Sequence, residues 1–164
     1  METMAKLAFP GVTLLLGMAG GLLTGKAIPT WYSKLKKPEL NPPNWIFGPV
    51  WTVLYLMIGY SGYLIWNQNK EFSENQKIAW FVYFLQLGLN YLWTPVFFGF
   101  KKLLLALFII SSLTVSICFN IYLFYEIQPT AGLLLIPYLL WVSFASYLNY
   151  SIWKLNSRSC KNEN

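Results

Sequence analysis

The sequence predicts an all-α integral membrane protein, a bundle of five transmembrane helices. Hydrophobic residues make up 56% of its 164 residues and charged residues only 11%, whereas soluble chains carry about 25% charge. The apolar residues are grouped into five stretches of about 20 residues, the length that an α-helix needs to cross a bilayer. A chain of this length is sufficient for one such domain.

The spans are predicted at 7–26, 44–66, 78–98, 103–125 and 131–153. The loops are short, which favours antiparallel neighbours. The exception is the segment 27–43, and a polar tail occupies 157–164 at the end of the five-helix domain 1–156. A signal peptide is the alternative for the first span, but its apolar stretch continues to Leu23 without an A-x-A triplet.

The basic residues predict an orientation. Nine of the twelve Lys and Arg residues lie in the first loop with Lys26 at its start, in the third loop, and in the C-terminal segment from Lys154 onward. By the positive-inside rule these segments, and therefore the C-terminus, face the cytosol.

Several functions are disfavoured by what the chain lacks. It has no His and no Asp, so a metal site and most hydrolytic chemistry are not expected. Cys118 lies in an apolar run and Cys160 in the tail, so we expect no disulfide. The net charge of +6 comes from short clusters rather than one basic face, which argues against nucleic acid. No Asp, Glu, Lys or Arg lies deep in a span, which argues against an ion channel or pump.

Segment 27–43 is predicted to be a stiff lid. Five of the nine prolines fall between residues 29 and 49, and proline restricts both itself and the residue before it. Trp31 and Tyr32 provide aromatic surface that can cover an apolar ligand.

Two helix faces carry the candidate pocket residues. Gln86, Asn90, Trp93 and Phe97 share one stripe of the third span, and Tyr138, Trp141, Ala145 and Leu148 share one stripe of the fifth. Small Ala145 leaves room between larger side chains, as a flat ligand requires. Alternatively, Gln86 and Asn90 hydrogen-bond to a neighbouring helix.

Gly17, Gly21 and Gly25 recur every four residues in the first span. This spacing lets another helix approach closely. It predicts a homodimer interface, with packing inside the bundle as the alternative.

Three segments resemble the translocator protein family, also called tryptophan-rich sensory proteins. They are WYSKLKKPELNPPNWIFGPVWTVLY, LNYLWTPVFFG and PYLLWVSFASYLNYSIWK, in the family's order and spacing. The resemblance implies a pocket that binds porphyrins of the haem type, sterols such as cholesterol, and isoquinoline or benzodiazepine drugs. By motif position, the pocket residues would be Tyr32 from the lid and Trp51, Asn90, Trp93, Trp141, Ala145 and Leu148.

The end of the fifth span is similar to the family's sterol-recognition segment. Leu148, Tyr150 and Lys154 fit the L/V-x-Y-x-K/R pattern, which is weak by itself. The alternative is that Tyr150 and Lys154 anchor the helix at the membrane surface. Ser151 and Lys154 replace the Tyr and Arg that are common in animal members.

The predicted function is that of a receptor-like protein that binds ligands and has no enzymatic activity and no cofactor. Its binding would assist the transport of sterols or porphyrins. The alternative is light-dependent degradation of porphyrins, with Trp51 and Trp141 as redox-active groups. The basic tail resembles animal members and predicts the mitochondrial outer membrane; the bacterial cell envelope is the alternative compartment.

Overall fold

The computed structural model describes residues 2–68 and 73–157. Within those ranges all regular structure is helical, and five helical segments are long and apolar enough to cross a membrane. The helices are α1 (Glu2–Thr30), α2 (Asn44–Trp66), α3 (Glu74–Thr94), α4 (Leu103–Ile127), α5 (Pro129–Leu133) and α6 (Ile136–Ser157). The predicted fold class is confirmed.

Helix α1 is longer than the predicted span 7–26 at both ends. It continues past Lys26 because the Thr30 hydroxyl donates to the Lys26 carbonyl and the Trp31 amide donates to the Ala27 carbonyl. The lid therefore begins later than residue 27. It consists of a 3-10 turn at Tyr32–Lys34 and an irregular stretch from 35 to 43.

The third and fifth spans each contain an irregularity at a proline. A π-helical turn, Pro95–Gly99, continues α3, with the Phe100 amide donating to the Pro95 carbonyl. The fifth span is divided into α5 and α6 by a turn at residues 134–135. Pro137 has no amide hydrogen to donate four residues back, which explains why one continuous helix does not form there.

The N-terminal end of α3, at the loop between α2 and α3, carries a capping motif. Ser73 begins α3 with a capping box, in which its hydroxyl accepts from the Gln76 amide and the Gln76 side chain accepts from the Ser73 amide. Of the predicted tail 157–164, residues 158–164 lie outside the described ranges, as does Cys160.

Glycines allow α1 and α2 to pack closely around Gly59. A Cβ atom built on Gly59 would lie 2.4 Å from the Pro10 Cα and 2.6 Å from the Phe9 carbonyl oxygen. Thr13 joins the same contact by donating its hydroxyl to the Tyr55 carbonyl at 2.9 Å. The two backbones therefore touch where α2 carries no side chain.

This packing predicts that Gly59→Ala destabilises the bundle. The added methyl would collide with backbone atoms of α1 that cannot rotate away, and such overpacking costs about 1–3 kcal/mol. The midpoint of thermal unfolding in detergent should fall. Gly88→Ala is the matched control, because a Cβ at Gly88 has no heavy atom within 4 Å. Equal midpoints for the two variants would show that α1 and α2 separate without cost.

Candidate ligand-binding site

A cavity of about 410 Å³ lies in the bundle directly under the 3-10 turn. This volume falls in the range of about 300–1,000 Å³ typical of small-molecule sites. Its walls come from α1, α2, the end of α3 with its π turn, and α6. Its lining residues are mostly aromatic or small.

Six of the seven predicted pocket residues line this cavity, and one does not. Those that line it are Tyr32, Trp51, Trp93, Trp141, Ala145 and Leu148. Asn90 is buried behind the wall and is not among the lining residues. The two helical stripes therefore point toward the same space, with Asn90 in a deeper position.

Asn90 connects three helices. The Tyr55 hydroxyl of α2 donates to its Oδ1 at 3.3 Å, and its Nδ2 donates to the Tyr138 hydroxyl of α6 at 2.6 Å. For Asn90, the structure therefore shows the hydrogen bonding to neighbouring helices that was the alternative to a place in the pocket wall. Gln86, one turn earlier, is fully buried, and its side-chain nitrogen and oxygen have no hydrogen-bond partner.

The aromatic walls are held in place by rings and by one amide. Trp51 stacks on Tyr55 with ring centroids 5.4 Å apart. Trp93 stacks on Phe97 at 5.1 Å, and its indole nitrogen donates to Asn149 Oδ1 at 3.0 Å. These contacts fix two flat faces at the cavity wall.

Trp141 presents a different feature on the α6 side. Its ring meets Phe47 edge to face, with centroids 5.8 Å apart. Its indole nitrogen is buried and has no hydrogen-bond partner among residues 2–68 and 73–157. A buried N–H beside a cavity can donate to an acceptor atom on a ligand.

The lid is closed over the cavity by Tyr32. Only 4% of this side chain is exposed, and its ring packs against Phe97 and Phe98. Its hydroxyl donates to Asn41 Oδ1 at 2.8 Å. Burial raises the pKa of Tyr32 to about 12, so the side chain is a neutral phenol at physiological pH. Trp31 packs edge to face on Phe97 and does not line the cavity.

A second contact ties the lid to the end of α6. The Lys36 amide donates to Asn156 Oδ1 at 3.1 Å, and Asn156 Nδ2 donates to the Lys36 carbonyl at 3.0 Å. One side chain thus satisfies both backbone groups of a lid residue. Sequence patterns gave no indication of this clamp, because the two residues are 120 positions apart.

The three glycines of the predicted stripe all line the cavity. Gly17 is pressed against the Tyr55 ring, 2.1 Å from where a Cβ would stand. Gly21 and Gly25 border the cavity, and a Cβ on either would have no heavy atom within 4 Å. The homodimer stays a prediction: Gly17 contacts the Tyr55 ring of α2, whereas Gly21 and Gly25 are exposed.

The residues of the predicted sterol segment do not form one surface. Leu148 lines the cavity, whereas Tyr150 is exposed and has the Lys154 ammonium 5.6 Å from its ring centroid. A sterol on the lipid-facing side of α6 would therefore reach Tyr150 and Lys154 without Leu148.

The chemistry of the lining suits a flat apolar ligand. Among the residues that the structure describes, no Asp, Glu, Lys or Arg lines the cavity, and its polar groups are amides, hydroxyls and indole nitrogens. Across residues 2–68 and 73–157, no group of three potential metal ligands occurs. The site can stack, enclose and hydrogen-bond a ligand, and it offers no acid–base pair.

Sequence reasoning did not assign α1 to the pocket. This helix contributes Leu14, Gly17, Met18, Gly20, Gly21, Leu22, Thr24, Gly25 and Ile28. Glycines lack side chains that mark a binding face, so their spacing indicated only close helix packing. Asn149 was also missed as a lining residue, although a polar amide in an apolar span is a usable signal.

Comparison with known proteins gives a consistent result. The sequence profile of the TspO/MBR family matches residues 9–154. A tryptophan-rich protein TspO from Archaeoglobus fulgidus is 42% identical over 88% of this chain and 92% of its own. The human translocator protein is 38% identical over 77% of this chain and 75% of its own. A tryptophan-rich sensory protein from Cereibacter sphaeroides is 35% identical over 77% of both chains.

The clamp predicts that Asn156→Ala loosens the lid. Each net hydrogen bond contributes about 0.5–1.5 kcal/mol, so losing two should speed opening by roughly tenfold or more. The Asn41 amide, bonded to the Pro38 carbonyl within the lid, should exchange its hydrogen faster by that factor. Asn67→Ala, which removes an exposed amide at the other end of α2, is the control. Unchanged exchange at Asn41 would mean that Tyr32 alone holds the lid.

Proposed function

We propose that this chain, which belongs to the TspO/MBR family, is a membrane receptor-like protein that binds flat apolar ligands. The ligand classes proposed are porphyrins, sterols, and isoquinoline or benzodiazepine compounds. The observation that carries the proposal is the aromatic, uncharged cavity of about 410 Å³ closed by Tyr32. Binding there would bury the faces of a planar molecule against Trp51 and Trp93.

Three properties of the site support this ligand class. The stacked ring pairs give extended flat surfaces, and aromatic pairs of this kind add about 0.5–1.5 kcal/mol beyond area burial. The unpartnered Trp141 indole offers one donor for a carbonyl or carboxylate oxygen. The lid residue that lines the cavity, Tyr32, is buried and carries no charge.

The names of relatives bear on what binding is for. The human relative is called a translocator protein and the Cereibacter relative a sensory protein. We therefore propose binding as the activity, with movement of a sterol or porphyrin as a role that binding would serve. Neither name denotes an enzyme.

Orientation and compartment are also part of the proposal. We place the lid, the loop with Lys101 and Lys102, and the C-terminus on the cytosolic side, from the distribution of Lys and Arg. The mitochondrial outer membrane remains the compartment predicted, with the bacterial envelope as the alternative. The relatives come from human, bacterial and archaeal sources, so they favour neither.

One observation favours the alternative function, light-dependent porphyrin degradation. Trp51 stacks on Tyr55, which stacks in turn on Tyr91 at 6.1 Å between centroids. Because Trp and Tyr rings are oxidisable, this row could donate an electron to a bound, excited porphyrin, which would reduce the porphyrin and leave the positive charge on the rings.

Reducing the cavity volume at Ala145 should weaken ligand binding. Ala145→Leu adds three carbons at a cavity wall and should weaken binding of protoporphyrin and of an isoquinoline by about tenfold or more, since overpacking costs about 1–3 kcal/mol. Quenching of tryptophan fluorescence in detergent measures both. The control is Leu140→Phe, which adds bulk on an exposed face of the same helix. Equal affinity for all three proteins would place the ligand elsewhere, and no binding by the wild type above empty micelles would refute the proposal.

The enzyme alternative predicts a different result. Under illumination, protoporphyrin should be converted to a product by the wild type and not by Trp51→Phe or Trp141→Phe, as followed by absorbance and mass spectrometry. Trp153→Phe is the matched control, because Trp153 does not line the cavity. Porphyrin loss at the same rate in all proteins would assign the bleaching to light alone.

A further inference from the structure

A second concave surface lies outside the cavity, where α4 begins and α6 ends. It is lined by Lys101, Lys102, Leu103, Leu104, Leu105, Phe108, Trp153, Asn156 and Ser157. None of these residues lines the ligand cavity. The groove is therefore a separate feature, and nothing in the proposed function uses it.

One end of the groove is positively charged. Lys101 and Lys102 are both exposed and follow each other immediately before α4. No acidic residue lines the groove, and the positive end of the α4 dipole lies at the same place. Lys101 has a φ of 58°, the left-handed region that non-glycine residues seldom adopt. This turn lets the chain pass from the π turn into α4 while both lysines stay at the groove.

The rest of the groove is apolar and belongs to a membrane span. Leu104 and Phe108 lie one turn apart on α4 and are 44% and 65% exposed. Leu105 extends this floor, and Trp153 of α6 forms the opposite wall. The surface thus passes from cationic to hydrophobic along the direction in which α4 enters the bilayer.

We propose that this groove binds an anionic phospholipid. The phosphate would lie on the Lys101 and Lys102 ammonium groups, and an acyl chain would cover Leu105, Phe108 and the Trp153 ring. Charge complementarity selects an anionic headgroup, since juxtamembrane lysines attract such lipids. The exposed apolar floor selects a lipid over free phosphate, because inorganic phosphate leaves that surface uncovered.

The groove differs from ordinary contact with bulk lipid because it has two walls. Asn156 and Ser157 of α6 stand beside the lysines, and Asn156 is fixed by its clamp on Lys36. A lipid seated there would contact both α4 and α6. Its retention should therefore depend on particular lysines rather than on the total charge of this side of the protein.

The test uses the purified full-length protein in detergent, titrated with phosphatidylglycerol or phosphatidylcholine, with bound lipids counted by native mass spectrometry. The wild type should retain phosphatidylglycerol in preference to phosphatidylcholine. Lys101→Gln with Lys102→Gln should weaken that binding by roughly thirtyfold at low salt, given the usual attraction per lysine. Lys26→Gln with Lys34→Gln, two exposed lysines outside the groove, should retain the preference.

Several outcomes would overturn the proposal. Equal loss in the two double variants would mean that the attraction is diffuse, and equal retention in both would mean that the lysines play no part. Full competition by soluble glycerol phosphate would show an anion site without a lipid. Salt gives a check that needs no variant, because raising it should remove the wild-type preference; a preference that survives high salt contradicts the assignment.

Discussion

The structure depends on satisfying polar groups inside hydrocarbon, where water is not available to do so. Asn90 shows this most clearly, because its amide joins a tyrosine of α2 to a tyrosine of α6. Asn149 does the same one layer nearer the lid, bonding the Trp93 indole and the Leu103 carbonyl. Lipid offers these polar groups no other hydrogen-bond partners, so the bonds fix the positions of α2, α3, α4 and α6 relative to one another. The aromatic walls of the cavity are held rigid as a result.

The cavity itself results from an uneven seam between α1 and α2. Near the far end, Gly59 brings the two backbones together, and Gly17 receives the Tyr55 ring. Toward the lid, a Cβ atom built on Gly21 or Gly25 would have no heavy atom within 4 Å. The same residue type therefore closes the bundle at one level and leaves space at another. What differs is the side chain opposite, and this is why glycine spacing alone could not distinguish a dimer seam, an internal contact and a cavity wall.

Hydropathy and periodicity predicted much of the fold and part of the site. The second span was placed at 44–66, where α2 lies, because Pro43 and the polar residues after Trp66 mark both ends. The two stripes gave Trp93, Phe97 and Trp141, whereas Trp51 was assigned from the family resemblance. Hydropathy could not show that α1 continues beyond Lys26, since a helix held by local hydrogen bonds need not end with its apolar stretch. Periodicity placed Asn90 and Trp93 on one face, but depth in the bundle, which separates a helix-bridging amide from a lining ring, depends on neighbours far away in sequence. The Asn156 clamp on Lys36 could not be predicted either, because its two residues are 120 positions apart.

Access to the cavity is controlled by contacts weaker than those that hold the bundle. The lid is held to the bundle by the Asn156 clamp and by the packing of the Tyr32 ring on Phe97 and Phe98, while the Tyr32 bond to Asn41 lies within the lid itself. The clamp is exposed, where water competes for each bond and leaves about 0.5–1.5 kcal/mol of net stabilisation. Opening the lid therefore costs a few such bonds and one buried ring, whereas separating α2 from α6 would leave amides unpaired in hydrocarbon. The lid can open while the walls stay in place, so a ligand would meet a preformed surface each time it does.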